Sequence, residues 1–359
     1  MGPDHGLPQR TEVERRIRRL LDDPAAVMLT SSCTHSLEAC ARLLAVGPGD
    51  EVIVPAFTFP STANAFLSVG ATLRFADVDL ATGNVDPESV ARRVGPRTSA
   101  IVVTHYGGVA ADVHSLVELC GASGADLVED GAHALFGSLD GTPLGRFGTA
   151  SALSFHRTKN VSSVEGGALV LNDPSLVGPA QILLDKGTNR ADFESGRVDS
   201  YEWSGWGSGW RLADPLIPLL VASLAESPTS QARRRLVWDR YRTELVPWAD
   251  DIGAALPTVP PGAVHPAHLF WTRLPDGSDR QDFVRHCAGA GVEVARHYGS
   301  LPASRFGSSI ADPGDRCPNA EVLATHLVRI PLHHQLTDDD VTATIEAVCS
   351  WRPDRTRRS

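Results

Sequence analysis

Short apolar runs alternate with helical repeats along the first half of the chain. Residues 27–30, 51–55, 72–76, 100–104 and 125–129 are each mostly apolar and bounded by Gly, Pro or polar positions. Continuous apolar runs of this length predict strands buried on both faces. Around and between them the apolar positions recur at helical spacing over 11–22, 35–45, 61–67, 87–94 and 113–121. Strands alternating with helices predict an α/β fold with a mostly parallel, doubly wound sheet. The segment 151–172 breaks the alternation. It reads as an apolar strand, a polar turn carrying Lys159, a tight Glu165-Gly166-Gly167 turn and a second apolar strand.

Farther on, residues 187–210 are rich in Gly, Ser and Trp and too long for a simple connector, so they are expected to be functional or packed against a partner. A long helix is predicted over 230–245. A second pattern runs from about 257 to 349: strand 267–274, helix 280–289, strands 292–296 and 327–330, and a last helix 338–348. The expected organisation is a large domain over 1–245 and a small C-terminal α+β domain over 246–359.

Composition narrows the class without changing this picture. The 359 residues are 42% hydrophobic and 21% charged, ordinary for a globular chain. A net charge of -10 argues against a general nucleic-acid binder. The basic clusters Arg15-Arg16-Ile17-Arg18-Arg19, Arg233-Arg234-Arg235 and the tail from Arg352 read as solvated helix faces or a frayed end. Six cysteines without Cys-x-x-Cys or metal-ligand spacing are those of a reduced, cytoplasmic protein. The N-terminus has no apolar signal region and no run approaches a membrane span, so a soluble intracellular protein is expected.

Several residues at predicted strand ends can carry chemistry, where a doubly wound sheet places its ligand. Lys159 offers a primary amine that a carbonyl cofactor needs to form a Schiff base. Asp130 closes the strand ending Leu127-Val128-Glu129. Its carboxylate can pair with a protonated ring nitrogen, or serve as a turn or N-cap aspartate. Ser31-Ser32-Cys33-Thr34 stands before a helix and suits either phosphate binding or simple capping. Phe59 can stack on a ring or join the core, Ser154 can donate to phosphate or to its own backbone, and His133 can face a ring hydroxyl or be structural.

In order along the chain, Ser31–Glu38, the run from Pro48 to Phe59, Ser61–Phe66, His105-Tyr106-Gly107-Gly108, Val128–His133 and the Ser154–Asn160 segment resemble the DegT/DnrJ/StrS family of pyridoxal-phosphate sugar aminotransferases. Lys186-Gly187-Thr188-Asn189-Arg190 and the Val198–Trp203 stretch are similar to the branch that aminates C4 of a dTDP-4-keto-6-deoxyhexose. The resemblance covers roughly residues 25–350. It implies fold type I (the aspartate-aminotransferase architecture), a homodimer with interface active sites, pyridoxal 5'-phosphate (as PLP or its amino form) as cofactor, and a transaminase that moves an amino group from an amino acid, expected to be glutamate, to a keto sugar nucleotide in amino-sugar or antibiotic biosynthesis.

By the same resemblance Lys159 and Asp130 are catalytic, and Cys33, Thr34, Phe59, His133, Ser154 and Ser208 bind cofactor with them. Thr34 and Ser154 would take the phosphate, Phe59 one ring face, and His133 the place usually held by glutamine. Arg190, Arg211, His297, Tyr298 and Arg329 are the substrate-side candidates. The chain departs from the pattern at Gly209, where the family's asparagine reaches the other subunit's cofactor phosphate and Ser208 is the substitute. It departs again at Pro215 and Pro218, which disfavour an ordinary helix interior, and at Ser300 and Pro302. These departures leave two further readings, an acceptor that is a non-nucleotide ketone such as a cyclitol, and an inactive binding protein on the same fold.

Overall fold

The structure, a computed structural model, describes residues 7–276 and 278–353. The chain runs through α1 (Leu7–Leu20), β1 (Ala26–Thr30), α2 (Cys33–Leu43), β2 (Glu51–Pro55), α3 (Pro60–Leu67), β3 (Thr72–Ala76), α4 (Pro87–Ala91), β4 (Thr98–Thr104), α5 (Val113–Ser123) and β5 (Asp126–Gly131). A ribbon of β6 (Ser138–Leu139) and β7 (Thr142–Pro143) precedes the hairpin β8 (Ala150–Ser154) and β9 (Gly167–Leu171). Then come α6 (Val177–Leu184), α7 (Arg190–Glu194), α8 (Ile217–Glu244) and α9 (Val246–Ile252). The last part holds β10 (Ala263–Val264), β11 (Phe270–Arg273), α10 (Arg280–Gly289), β12 (Ala295–Arg296), α11 (Pro318–His326), β13 (Leu327–Ile330) and α12 (Asp338–Ser350).

Seven strands form the main sheet in the order β1-β9-β8-β5-β4-β2-β3. From β3 to β8 neighbours pair parallel, and β9 runs antiparallel between β8 and β1. Every residue of β2 and of β9 is buried, Glu51 at the start of β2 included, as expected of largely apolar strands when helices cover both faces. The ends of β1, β4, β5 and β8 and the start of β9 share one edge, so Thr30, Thr104, Asp130, Ser154 and Gly167 stand side by side there.

A smaller sheet, β11-β13-β12, anchors a second core in which Phe270, Phe283, Val328 and Trp351 pack with Trp238 and Tyr241 of α8. The first half of α8 belongs elsewhere: Ile217, Leu220 and Leu224 join Val13 and Ile17 of α1.

Helix α8 starts thirteen residues earlier than the expected 230, at Ile217. Pro215 lies in a short 3-10 turn before it and Pro218 in its first turn, where no N–H donor is needed. Pro228 does sit inside the helix. It leaves the Leu224 carbonyl without its usual donor, and Arg16 (2.6 Å) and the Ser227 hydroxyl (2.9 Å) take that carbonyl instead. Arg16 therefore does structural duty, and so does Arg234, which is buried and donates to the carbonyls of His268 and Leu332. Neither is the solvated charge that the basic clusters suggested. The tail beyond Arg352 lies largely outside the described residues. Helix α11 was not expected, and the ladder at 292–296 is confined to β12. Among the described residues no helix is long and apolar enough to cross a membrane, and the six cysteines are unpaired thiols.

The tract 187–210 contains α7 and is otherwise irregular. Trp206 carries the Arg42 guanidinium 3.9 Å above its ring, and Trp210 stacks on His35 at 5.3 Å, so the tract is pinned to α2. Trp203 is 84% exposed.

Within the lysine hairpin Val164 has φ +72° and a largely exposed side chain. A β-branched residue is strained in the left-handed region, which asparagine tolerates. Val164→Asn is expected to raise unfolding stability by about 1 kcal/mol. Chemical denaturation reads this directly; an unchanged or lowered midpoint would mean that the loop carries no such strain.

Candidate active site

Asp130, next to last in β5, has a buried carboxylate. One oxygen accepts the Thr62 hydroxyl at 2.6 Å and the other the Ala132 N–H at 3.1 Å. Behind Thr62 a chain of hydroxyls runs through Thr58 (3.0 Å) to Thr104 (2.9 Å), all buried. These contacts fix the carboxylate in place.

Helix α2 starts beside it. Ser32 caps the helix by accepting the His35 N–H at 3.1 Å, and Ser31 bonds the His35 ring at 2.7 Å. Among the described residues, the N–H groups of Cys33 and Thr34 have no acceptor, which leaves two donors at the positive end of a helix dipole. The helix start lies against the hairpin. A Cβ built on Gly167 would fall 2.5 Å from the Cys33 nitrogen and 2.7 Å from the Ser32 carbonyl oxygen, so only glycine permits this approach.

Lys159 lies in the loop between β8 and β9, its backbone N–H held by the His156 carbonyl at 2.9 Å. Its amine has no hydrogen-bond or ion-pair partner among the described residues. Burial lowers its affinity for a proton, while Cys33 and Asp130 pull the other way. The free base is therefore reached at lower pH than for an ordinary lysine. The same burial pushes the Cys33 thiol well up, with Asp130 adding to it.

A wall of rings faces these groups. Tyr298 stacks on His297 at 3.8 Å and lies 6.1 Å from half-exposed Phe59. His133 is stacked on His268, ring centroids 4.3 Å apart and planes 24° from parallel. Burial keeps all three histidines neutral, and His297 is pushed down to about 2. Tyr106 reaches the His297 ring at 3.2 Å.

Together these residues line one cavity of about 1030 Å³. It brings Lys159, Asp130, Cys33, Thr34, Phe59, His133, Ser154, His297, Tyr298 and Arg329 to a common space, although they come from six separate stretches of chain. The remaining three candidates are not there. Arg211 is held by both oxygens of Asp185 at 2.5 and 2.6 Å, a structural fork that corrects its assignment to the substrate side. Arg190 pairs with Glu194 on the surface of α7, and Ser208 lies outside this cavity, its backbone bonded to Leu183 and Lys186. Sequence reasoning missed His268 and Asn160. Asn160 follows Lys159 directly and was visible as its neighbour; nothing near His268 in the chain marks it.

Comparison with known proteins agrees with the fold. The family model described as DegT/DnrJ/EryC1/StrS aminotransferase matches residues 5–349. The spore coat polysaccharide biosynthesis protein SpsC of Bacillus subtilis (strain 168) is 30% identical over 355 residues, spanning 95% of this chain and 89% of that protein. Among solved structures, the aminotransferase TlmJ from Streptoalloteichus hindustanus is 32% identical with a TM-score of 0.87, covering 96% of this chain and 90% of that one. DesV of S. venezuelae, solved in complex with a ketimine intermediate, is 27% identical with a TM-score of 0.88, covering 99% and 91%. With nearly the whole chain matched, the protein belongs to the DegT/DnrJ/EryC1/StrS aminotransferase family and is a pyridoxal-phosphate-dependent aminotransferase of the α/β architecture described above.

Proposed function

We propose that the protein transfers an amino group from an amino acid, glutamate in the first instance, to a keto sugar nucleotide of the dTDP-4-keto-6-deoxyhexose type. The observation that carries this reading is the convergence of a partnerless Lys159 amine, the braced Asp130 carboxylate and the unpaired N–H groups of α2 in one cavity.

The donor set fits pyridoxal phosphate. The N–H groups of Cys33 and Thr34, with the hydroxyls of Thr34 and Ser154, suit a phosphate at a helix start. Asp130 suits the ring nitrogen, Phe59 one ring face, and His133 the ring hydroxyl. When bound, the cofactor supplies the carbonyl that carries the amino group and a ring that spreads the negative charge of the reacting carbon.

The chain's own side chains then have defined tasks. Lys159, as a desolvated amine, takes a proton from the reacting carbon and returns it at the next position. Asp130, locked by Thr62 and Ala132, cannot swing away from the ring nitrogen it pairs with. Arg329, His297 and Tyr298 border the space left for the acceptor, and the Arg329 guanidinium, its Nε unpaired in the structure, suits a carboxylate or phosphate.

We also read the active unit as a homodimer. Exposed Tyr201 and Trp203 in the tract after α7 offer an apolar surface to a second copy. The side-chain-free Gly209 has room for a larger residue, since its Cβ position meets only the Lys186 arm at 3.4 Å. In this reading Ser208 stands in for the missing amide at the partner's cofactor.

Holoenzyme reduced with borohydride is expected to carry the pyridoxyl mass on the Lys159 peptide. Incubation with glutamate and a dTDP-4-keto-6-deoxyhexose is expected to yield the amino sugar nucleotide, read by mass spectrometry. No labelling at Lys159 would leave an inactive binding protein as the better reading. Labelling with no transfer to any dTDP sugar, but transfer to a keto cyclitol, would keep the chemistry and overturn the acceptor.

A further inference from the structure

His268 is assigned no task by the reading above, yet its hydrogen bonds define which of its nitrogens carries the proton. Asn160 donates from its amide nitrogen to the Pro266 carbonyl at 2.8 Å and to Gln231 Oε1 at 3.0 Å. Gln231 in turn donates to that same carbonyl. A carbonyl only accepts, so the Asn160 amide cannot be turned round, and its oxygen is the atom facing His268 Nδ1 at 2.8 Å. That oxygen also only accepts. Nδ1 of His268 therefore carries the hydrogen, and the neutral ring presents a bare lone pair at Nε2.

His133 is set the opposite way. Its Nδ1 receives the Gly107 N–H at 3.2 Å, so its hydrogen is on Nε2. Two stacked, nearly parallel imidazoles 4.3 Å apart thus carry one N–H, 3.5 Å from the Tyr298 hydroxyl, and one lone pair. The charged or titratable groups facing His268 are Lys159, Arg234, His297 and Arg329, with His133 stacked on it, and the cations among them keep it neutral along with burial. Three of these hold a donor nitrogen without a partner among the described residues, the Lys159 amine and the Nε atoms of Arg234 and Arg329, and the lysine is the one next in the chain to Asn160, which holds the ring.

We propose that His268 is a positioning residue for Lys159: Asn160 locks the His268 tautomer, and the Nε2 lone pair accepts a hydrogen bond from the lysine amine whenever that amine is released from the cofactor. An acceptor that cannot donate leaves the amine's own lone pair unoccupied and holds its hydrogens toward the wall. The free base then points at the reacting carbon instead of sampling its long arm's rotamers. This use of the pair rests on the reading of Lys159 as proton carrier; the tautomers and the amine's environment can be measured without it.

Full-length apoenzyme with 15N-labelled histidine is expected to show His268 protonated on Nδ1 and His133 on Nε2 at neutral pH. His268 protonated on Nε2 overturns the proposal. The rate of reductive methylation of Lys159 against pH, read by mass spectrometry, supplies the second arm. Accepting a hydrogen bond favours the ammonium, so His268→Leu is expected to shift the Lys159 profile to lower pH, while His268→Gln, which keeps an acceptor oxygen, restores it. Asn160→Asp invites a second proton onto His268 and is expected to shift the lysine profile the same way as His268→Leu. In turnover, His268→Leu is expected to lower kcat by about tenfold to a hundredfold with the donor's KM little changed. A methylation profile unmoved in folded His268→Leu overturns the proposal even if turnover falls, because a purely structural histidine would do that. Correct tautomers and a shifted profile without any aminotransferase activity would keep the couple and fault the functional reading instead.

Discussion

Lys159→Ala is expected to lower turnover by at least about four orders of magnitude while leaving the fold intact. The residue sits in a loop, and its arm makes no hydrogen bond or ion pair among the described residues, so truncation removes no structural contact of that kind. What disappears is the only primary amine lining the cavity among the described residues. A positioned proton carrier is worth about 10²–10⁴ in rate, and the loss of the covalent attachment adds to it. Single-turnover kinetics with the amino form of the cofactor separates the two contributions. Small primary amines supplied in solution are expected to restore part of the proton-transfer rate in Lys159→Ala. Wild-type rates in that variant would remove the lysine from the chemistry altogether.

The largest stability effect is expected one residue away from the cavity. Glu129 precedes Asp130 on β5 and points to the opposite face of the sheet, fully buried. Its carboxylate accepts the N–H groups of Gly145, Phe147 and Gly148, each at 2.7 Å, and His105 Nε2 at 3.0 Å. His105 Nδ1 accepts the Ala111 N–H, so Nε2 is the donor of that pair. Glu129→Ala leaves four buried donors without an acceptor. Each orphaned group costs about 1–3 kcal/mol, and relaxation of the 145–148 turn offsets part of it. A net loss of about 3–5 kcal/mol is expected, comparable with breaking a buried ion pair. Glu129→Gln retains the volume but turns an N–H₂ toward donors, and is expected to fall between alanine and wild type. Thermal and denaturant unfolding test both. A loss below about 1 kcal/mol for Glu129→Ala would show that the turn is held by other means.

The parts legible in the sequence were those written in local pattern. Strands 51–55 and 72–76 match to the residue because these short, mostly apolar runs end at Pro55 and before Asp77. The pairing of Lys159 with Asp130 in one cavity followed from strand ends that a doubly wound sheet must bring together. What escaped was compensated at a distance. The long helix was expected only from 230, and nothing near Pro228 in the chain shows that Arg16, more than two hundred positions away, bonds the carbonyl that this proline orphans. Arg211 looked available for substrate because the two-pronged grip of Asp185 joins residues far apart in sequence. His268 had no local mark at all, its meaning residing in Asn160.

The placement of β9 has a temporal consequence. Strand β1 is made before the other strands of the main sheet, yet its neighbour there among the described residues is β9, which emerges from the ribosome some 140 residues later. Until Gly167 slides in beneath the start of α2, the phosphate-facing end of that helix has no floor. The nascent protein therefore cannot capture its vitamin during synthesis of the early strands; loading awaits a finished hairpin.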